Sequence, residues 1–361
     1  LNGNYDYSYF DYKNLKGYVN HIPMQQDAAG GHAYVLLCAY HKFGDPRYLE
    51  HCKSALEALI SQKESRFYEA LLPLGVYVAA YLNATEGTNY NVSKLFDWVF
   101  DGCQSSSGRT GWGIIVGKWG DYDVSGLQGS ITDGGGYAFL MNSIKPAWPF
   151  IPLVKYQPEY AKAIGKWMLN NSSACRLFYP GDIDEKHQWA PELKNITNNN
   201  VSYEGLRKAD DYGKESLKGV SPVAIGDGPK WIEGNPAESM FSVYSSSPVG
   251  ILGAIITKTD VEGILQLDCN ATDFYVDKPY PVYLYYNPYK EAKTITYRAS
   301  QECDLFDIVA KKYVARNVNE SGLIEIPAND ARVIVELPQG TVLELQDGKI
   351  IANKENIIAY K

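Results

Sequence analysis

The sequence predicts a multidomain chain of α and β parts: an α/α toroid, partial at about three helical hairpins, followed by an antiparallel β-sandwich. Three observations predict it. In the first half, segments that are apolar all round alternate with amphipathic ones, as buried helices paired with half-exposed helices would. From residue 241 the pattern turns to short, closely spaced runs separated by turn residues, which is how a sandwich reads. Between them lies a polar stretch rich in Pro, Gly and Asn. The boundaries fall at residues 1–177, 178–240 and 241–361, the middle segment crossing the ring and lining its cleft.

Residues 1–26 are polar and tyrosine-rich, and the spacing predicts one short helix at Asn14–Asn20. Asp27–Phe43 reads as a buried helix. Asp45-Pro46 then supplies an N-cap and a proline at the first helical position of the amphipathic segment Pro46–Gln62. Tyr68–Leu82 is again apolar nearly all round, and Val92–Cys103 amphipathic. Tyr137–Lys155 is apolar, with prolines at 146, 149 and 152 that kink or break a helix. Pro158–Asn170 is amphipathic. The order buried, half-exposed, three times over, argues for a layered ring; a plain bundle would give amphipathic helices throughout.

Ten strands are predicted in the last third: Val249–Thr257, Gly263–Cys269, Pro281–Tyr286, Thr294–Ala299, Asp304–Val309, Tyr313–Asn317, Gly322–Ile326, Arg332–Leu337, Val342–Leu345 and Lys349–Ala352. Asp347-Gly348 is a hairpin signal.

Composition narrows the function. A net charge of −8 and the lack of any Lys/Arg-rich run argue against nucleic-acid or anionic-membrane partners. No apolar run is long enough for a membrane span. The 29 tyrosines, against 11 phenylalanines and 7 tryptophans, offer apolar faces with hydroxyls, which suits sugar rings. The six cysteines form no CxxC pair, and neither HExxH nor EF-hand spacing occurs, so no metal or cofactor is expected. The chain begins at Leu1, which reads as processing or truncation and fits a secreted or periplasmic protein.

Candidate chemistry centres on the glycine-rich stretch Gly111–Met141, read as a loop that walls a cleft. In a toroid the inner helices begin at one face. That mouth would receive Gln25, Gln26, Asp27 and His32 from the first inner helix and Tyr68 and Glu69 from the second. The third would bring Asp133, with Asp121 and Asp123 further back in the loop. Paired carboxylates at a mouth can cleave a glycosidic bond as general acid and base; acids at helix starts can equally serve as caps. In the catalytic reading Asp133 or Asp121 is the acid and Glu69 the base, while Tyr68 and Trp119 position the sugar. Trp112, Trp119 and Trp231 are candidate stacking residues, and Glu204 belongs to a segment able to reach the cleft. His21, His32, Gln26, Tyr68 and Arg109 would instead suit a polysaccharide lyase, which needs a base for the C5 proton and a group to neutralise the uronate.

The helix alternation, together with the tail segments VYLYYNPY, DLFDIVAKKYVARNV and LIEIPANDARVIVELP, resembles bacterial carbohydrate-active enzymes with an α/α toroid and a C-terminal antiparallel sandwich. These include glycoside hydrolases and polysaccharide lyases. The resemblance implies a polysaccharide or oligosaccharide substrate, cleaved by hydrolysis or by β-elimination. A non-catalytic glycan-binding or scaffold subunit is the reading from another class. Three hairpins leave a ring that a second chain, or residues preceding Leu1, would complete.

Overall fold

The computed structural model describes residues 4–20, 26–65, 67, 70–101, 112–131, 136–197, 201–209, 211–226, 237–242 and 246–360. They form a mixed chain of helices and antiparallel sheets. A hairpin of β1 (Tyr9–Asp11) and β2 (Lys16–Tyr18) comes first. It replaces the helix expected at Asn14–Asn20. Asp11 accepts from the backbone N–H groups of Lys13 and Asn14 at 2.8 and 3.2 Å, and this side-chain turn outcompetes a helix.

The helices follow the predicted order: α1 (Ala28–Phe43), α2 (Pro46–Ile60), α3 (Leu72–Glu86) and α4 (Val92–Phe100). Their ends obey local chemistry. Asp45 and Asn91 accept from the N–H groups of Arg47 and Lys94, each at 2.9 Å. Gly44 and Gly87 close α1 and α3 at φ of 70° and 66°, the left-handed cap that favours glycine.

Helices α1 and α3 run parallel. Gly30 lies against Gly75 and Leu71, Tyr34 meets Tyr77 at 5.8 Å, and His41 meets Tyr81 at 5.3 Å. Both helices therefore begin at one end of the molecule. The crossing is close because it is built on glycine. A Cβ on Gly75 would stand 2.5 Å from a methyl of Leu59 and 3.0 Å from the Gly30 Cα. Gly75→Val is expected to lower stability by about 1–3 kcal/mol through overpacking, read as a drop in the urea midpoint. An unchanged midpoint would show slack in the crossing.

The glycine-rich stretch is not one loop. It holds β3 (Trp112–Ile114), the short hairpin β4 (Lys118–Trp119) and β5 (Tyr122–Asp123), and β6 (Gln128–Ser130). Tyr137–Phe139, expected to open a helix, forms strand β7, and α5 (Leu140–Ile144) and α6 (Ala147–Leu153) follow. Next come α7 (Ala161–Cys175) and a single turn, α8 (Lys194–Thr197). The middle segment contributes β8 (Gly205–Arg207) and β9 (Val223–Ile225). These complete a five-stranded sheet in the order β3-β6-β7-β8-β9. The sheet joins strands from the two segments that the sequence separates at residue 178.

Val249–Thr257, read as a strand, is mostly helix α9 (Ser246–Ile255), leading into β10 (Ile256–Lys258). Its apolar run fits either state, because periodicity alone does not separate a buried strand from a buried helix. The remaining strands sit close to their expected places: β11 (Leu265–Asp268), β12 (Val282–Asn287), β13 (Lys293–Arg298), β14 (Cys303–Asp307), β15 (Lys312–Val318), β16 (Ser321–Ile326), β17 (Asp330–Pro338), β18 (Leu343–Gln346) and β19 (Lys349–Ala352). A further strand, β20 (Asn356–Ala359), pairs with β19.

Six of these strands form one sheet, ordered β10-β11-β12-β17-β14-β15. Its two faces follow the period-2 rule. Val333, Val335 and Leu337 join the large core shared with the helices, where α7 presses so close that a Cβ on Gly165 would lie 2.7 Å from the Tyr286 Cβ. Ile334 and Tyr285 face the other way and pack with Ile295, Tyr297, Ile324 and Ile326 of the β13–β16 ladder.

Candidate functional site

The segment YDYSYFDY at residues 5–12 alternates aromatic and polar residues, the pattern of a two-faced strand. In the β1–β2 hairpin Tyr9 stacks on its cross-strand partner Tyr18, with ring centres 5.7 Å apart. The ring of Tyr7 lies over Gly17, where a Cβ would be 2.5 Å from it. Phe10 meets Tyr7 at 6.0 Å and Tyr12 at 5.3 Å.

Just before the hairpin, Tyr5 reaches the first turns of α1. Its hydroxyl lies 3.1 Å from His32 Nδ1, and the two rings are 5.3 Å apart. Burial pushes the Tyr5 phenol above its usual range, with a smaller push from Tyr7, so the hydroxyl keeps its proton. Gln26 donates its amide to Asp6, and Gln62 donates to the Gln26 carbonyl at 3.1 Å. Lys94 fixes this corner by donating to the carbonyls of Ile60 and Gln62, both at 2.7 Å.

Two adjoining hollows result, with Tyr5 lining both. One, of about 410 Å³, is walled by Tyr7, Ser8, Phe10, Tyr12 and His32 as well as Tyr5. The other, of about 640 Å³, is walled by Asp6, Gln26, Glu57, Gln62 and Lys63 together with Tyr5 and smaller side chains. Both lie in the size range of small-molecule sites, about 300–1,000 Å³. They open at the end where α1 begins, flanked by Gln26, Ala28 and His32.

The structure thus brings together two of the predicted residues, Gln26 and His32. Asp133, Glu69, Tyr68, Arg109, His21 and Trp231 lie outside the described residues. Asp27, at the start of α1, is buried. Asp121 and Asp123 are exposed on the β4–β5 hairpin. That hairpin packs elsewhere: Tyr122 donates to Asp184 at 2.9 Å and meets the His187 ring at 4.9 Å. The Ser125 hydroxyl and N–H hold the Asp123 carboxyl below its ordinary range. Its state is therefore that of an ionised turn residue, unsuited to donating a proton.

Trp112 and Trp119 were expected as exposed sugar platforms. Both are buried, at 2% and 5% exposure. A Cβ on Gly136 would lie 2.9 Å from the Trp119 ring, so that indole anchors the chain beside β7. Glu204 is half-buried, and its carbonyl accepts from the Leu140 N–H at 2.9 Å. Among the described residues Tyr9, Phe10, Tyr12 and Tyr18 of the N-terminal hairpin are exposed, as are Phe43, Phe274 and Tyr275 elsewhere. The alternation in YDYSYFDY was the signal for the first three.

The five-stranded sheet carries a second polar feature. Trp112, Ser130, Tyr137 and Arg207 are cross-strand neighbours on one face and all are buried. The Arg207 guanidinium lies 4.1 Å from the centre of the Tyr137 ring, a cation–π contact. The opposite face presents Ala138, Leu206 and Ala224 to a separate apolar core. The connection carrying Asp133 leaves this sheet after Ser130 and returns at Tyr137.

Among the described residues no group of three or more His, Cys, Asp or Glu could hold a metal ion. Cys38, Cys52, Cys175, Cys269 and Cys303 are free thiols, while Cys103 lies outside the described residues. Burial pushes the Cys52 thiol up to about 12, which makes it an inert hydrophobe. No described helix is long and apolar enough to cross a membrane.

No protein-family model matches the chain, and no curated protein matches it. Among solved structures, an alpha-amylase from Anoxybacillus, described as giving insight into a new glycosyl hydrolase subclass, is similar over 33% of this chain. The identity is 12% and the TM-score 0.19, and the match spans 28% of the amylase chain. An overlap of that size carries neither the fold nor the activity of the amylase to this protein.

Proposed function

We propose that this chain is a carbohydrate-active enzyme that binds a polysaccharide or oligosaccharide in the tyrosine-lined groove and hydrolyses a glycosidic bond beside it. The observation that carries the reading is the groove itself. Tyr5, Tyr7, Phe10 and Tyr12 gather with His32 at the end where α1 and α3 both begin. Aromatic faces meet the C–H faces of sugars, and amide and hydroxyl groups meet their hydroxyls.

The parallel run of α1 and α3 supports reading the helical part as a partial α/α toroid with a mouth at this end. The β13–β16 ladder over the six-stranded sheet supports reading the last third as a sandwich. Glu69, which precedes α3, is the proposed base of the pair. Asp133, in the connection between β6 and β7, is the proposed acid.

Asp133→Asn is expected to lower glycan cleavage by about 10²- to 10⁴-fold, the usual worth of a general acid, with the unfolding midpoint unchanged. Products should gain the mass of one water per cut. Undiminished turnover in Asp133→Asn would remove that residue from the mechanism, and unsaturated products without added water would replace hydrolysis by elimination.

A further inference from the structure

We infer that the groove takes a neutral glycan and rejects uronate-containing polymers; this rests on the glycan-cleaving function proposed above. The two hollows meet at Tyr5 and differ in chemistry. One offers ring faces, the other amides. Among the described lining residues the formal charges are the carboxylates Asp6 and Glu57 and the single ammonium of Lys63, with no arginine.

A uronate polymer brings one carboxylate per acidic sugar. Desolvating that charge calls for a cationic partner, ideally the fork of an arginine. Here it would meet two carboxylates against the one ammonium of Lys63, a lining of net negative charge, and like charges brought together oppose binding. The chain as a whole, at −8, repels a polyanion as well. A neutral sugar has no such conflict. Its hydroxyls both donate and accept, and the lining amides of Gln26 and Gln62 can do the same through the second N–H and the oxygen that their bonds to Asp6 and to the Gln26 carbonyl leave over. Tyr12, at 84% exposure, leaves a ring face open to an arriving sugar. The adjoining hollows suit a ligand of at least two sugar units, one stacked on the tyrosines and the next hydrogen-bonded among the amides.

The test is calorimetric binding of two matched sets of oligosaccharides to the intact chain. One set is neutral, from xylan, glucan and mannan; the other is acidic, from pectin, alginate and hyaluronan. The expected result is binding within the neutral set that does not change between low and high salt. Tyr12→Ala should weaken it about three- to tenfold, the worth of one aromatic contact, and Tyr18→Ala, on the other face of the hairpin, should leave it unchanged. Binding confined to the acidic set and weakened by salt would overturn the neutral assignment while keeping the glycan reading. Binding to neither set would overturn both.

Discussion

Asp273→Ala is expected to cost about 3–5 kcal/mol of folding stability, the range for breaking a buried ion pair from one side. Asp273 is 1% exposed and sits where the helices meet the β strands. Its carboxylate lies 2.5 Å from the Lys155 ammonium, accepts from the Tyr156 hydroxyl at 2.7 Å, and accepts from Tyr77 on its other oxygen. Lys155 also donates to Asn270 at 2.9 Å, and Thr272 donates to the Trp148 carbonyl at 2.8 Å. Truncation would leave a nearly buried ammonium and two phenols short of their acceptor. Each such group then bears its own desolvation cost. Asp273→Asn should lose less, because the amide oxygen still accepts from one of the two phenols. Removing both charges, with Lys155→Met added, should recover part of the loss. Denaturant midpoints of the four proteins measure this directly. A loss for Asp273→Ala below about 1 kcal/mol would mean that the pair behaves like an exposed one.

The second large effect is loss of the fold in alkali. Around Asp273 lie Tyr34, Tyr77, Tyr81 and Tyr156, edge to face at 4.9 to 5.8 Å. Burial pushes all four phenols above their usual range, and the negative charge of Asp273 adds to it. A phenol whose folded pKa exceeds its unfolded value binds a proton more tightly in the native state. Its contribution to stability is complete below the unfolded pKa of about 10 and falls away as pH rises above it. Exposed tyrosines should therefore ionise first in an absorbance titration. The buried set should ionise later, in a steep step coincident with loss of circular dichroism. Smooth ionisation of all 29 tyrosines near the ordinary value, with the fold intact, would contradict the burial of this cluster. Asp273→Asn should move the step, since the charge that opposes ionisation is gone.

Both effects arise at a joint that the sequence does not display. Tyr77 and Asp273 are 196 positions apart, and nothing local marks them as partners. The helices were legible because their signals are local. Asp45-Pro46 caps α2, and the change from all-round apolar to amphipathic separates α1 from α2. The later strands were legible for the same reason, since a short apolar run such as Val333–Val335, bounded by the turn residues Asn329-Asp330 and Pro338-Gln339-Gly340, is a property of consecutive residues. Local signals compete at two places: the side chain of Asp11 makes a turn where the spacing predicts a helix, and the apolar run at Val249 is mostly helix.

The candidate site divides in the same way. Gln26 and His32 could be found because they stand at the start of a recognisable helix. The aromatic residues of YDYSYFDY carried a local signal, but their gathering against His32 did not, because it needs the β1–β2 hairpin to lie beside the start of that helix.

By itself the sequence determined the order of the first four helices, the switch to strands in the last third, and an acidic, tyrosine-rich composition. Each depends on neighbouring residues or on sums over the chain. The tertiary structure alone decided three things. It paired β7 with β8, bringing Tyr137 and Arg207 together. It set α1 parallel to α3 at Gly30 and Gly75, so that their first turns share one end. It also buried the tryptophans of the glycine-rich stretch while leaving the N-terminal tyrosines open. All three are long-range contacts, and which of many compatible surfaces meet is settled by packing across the whole chain.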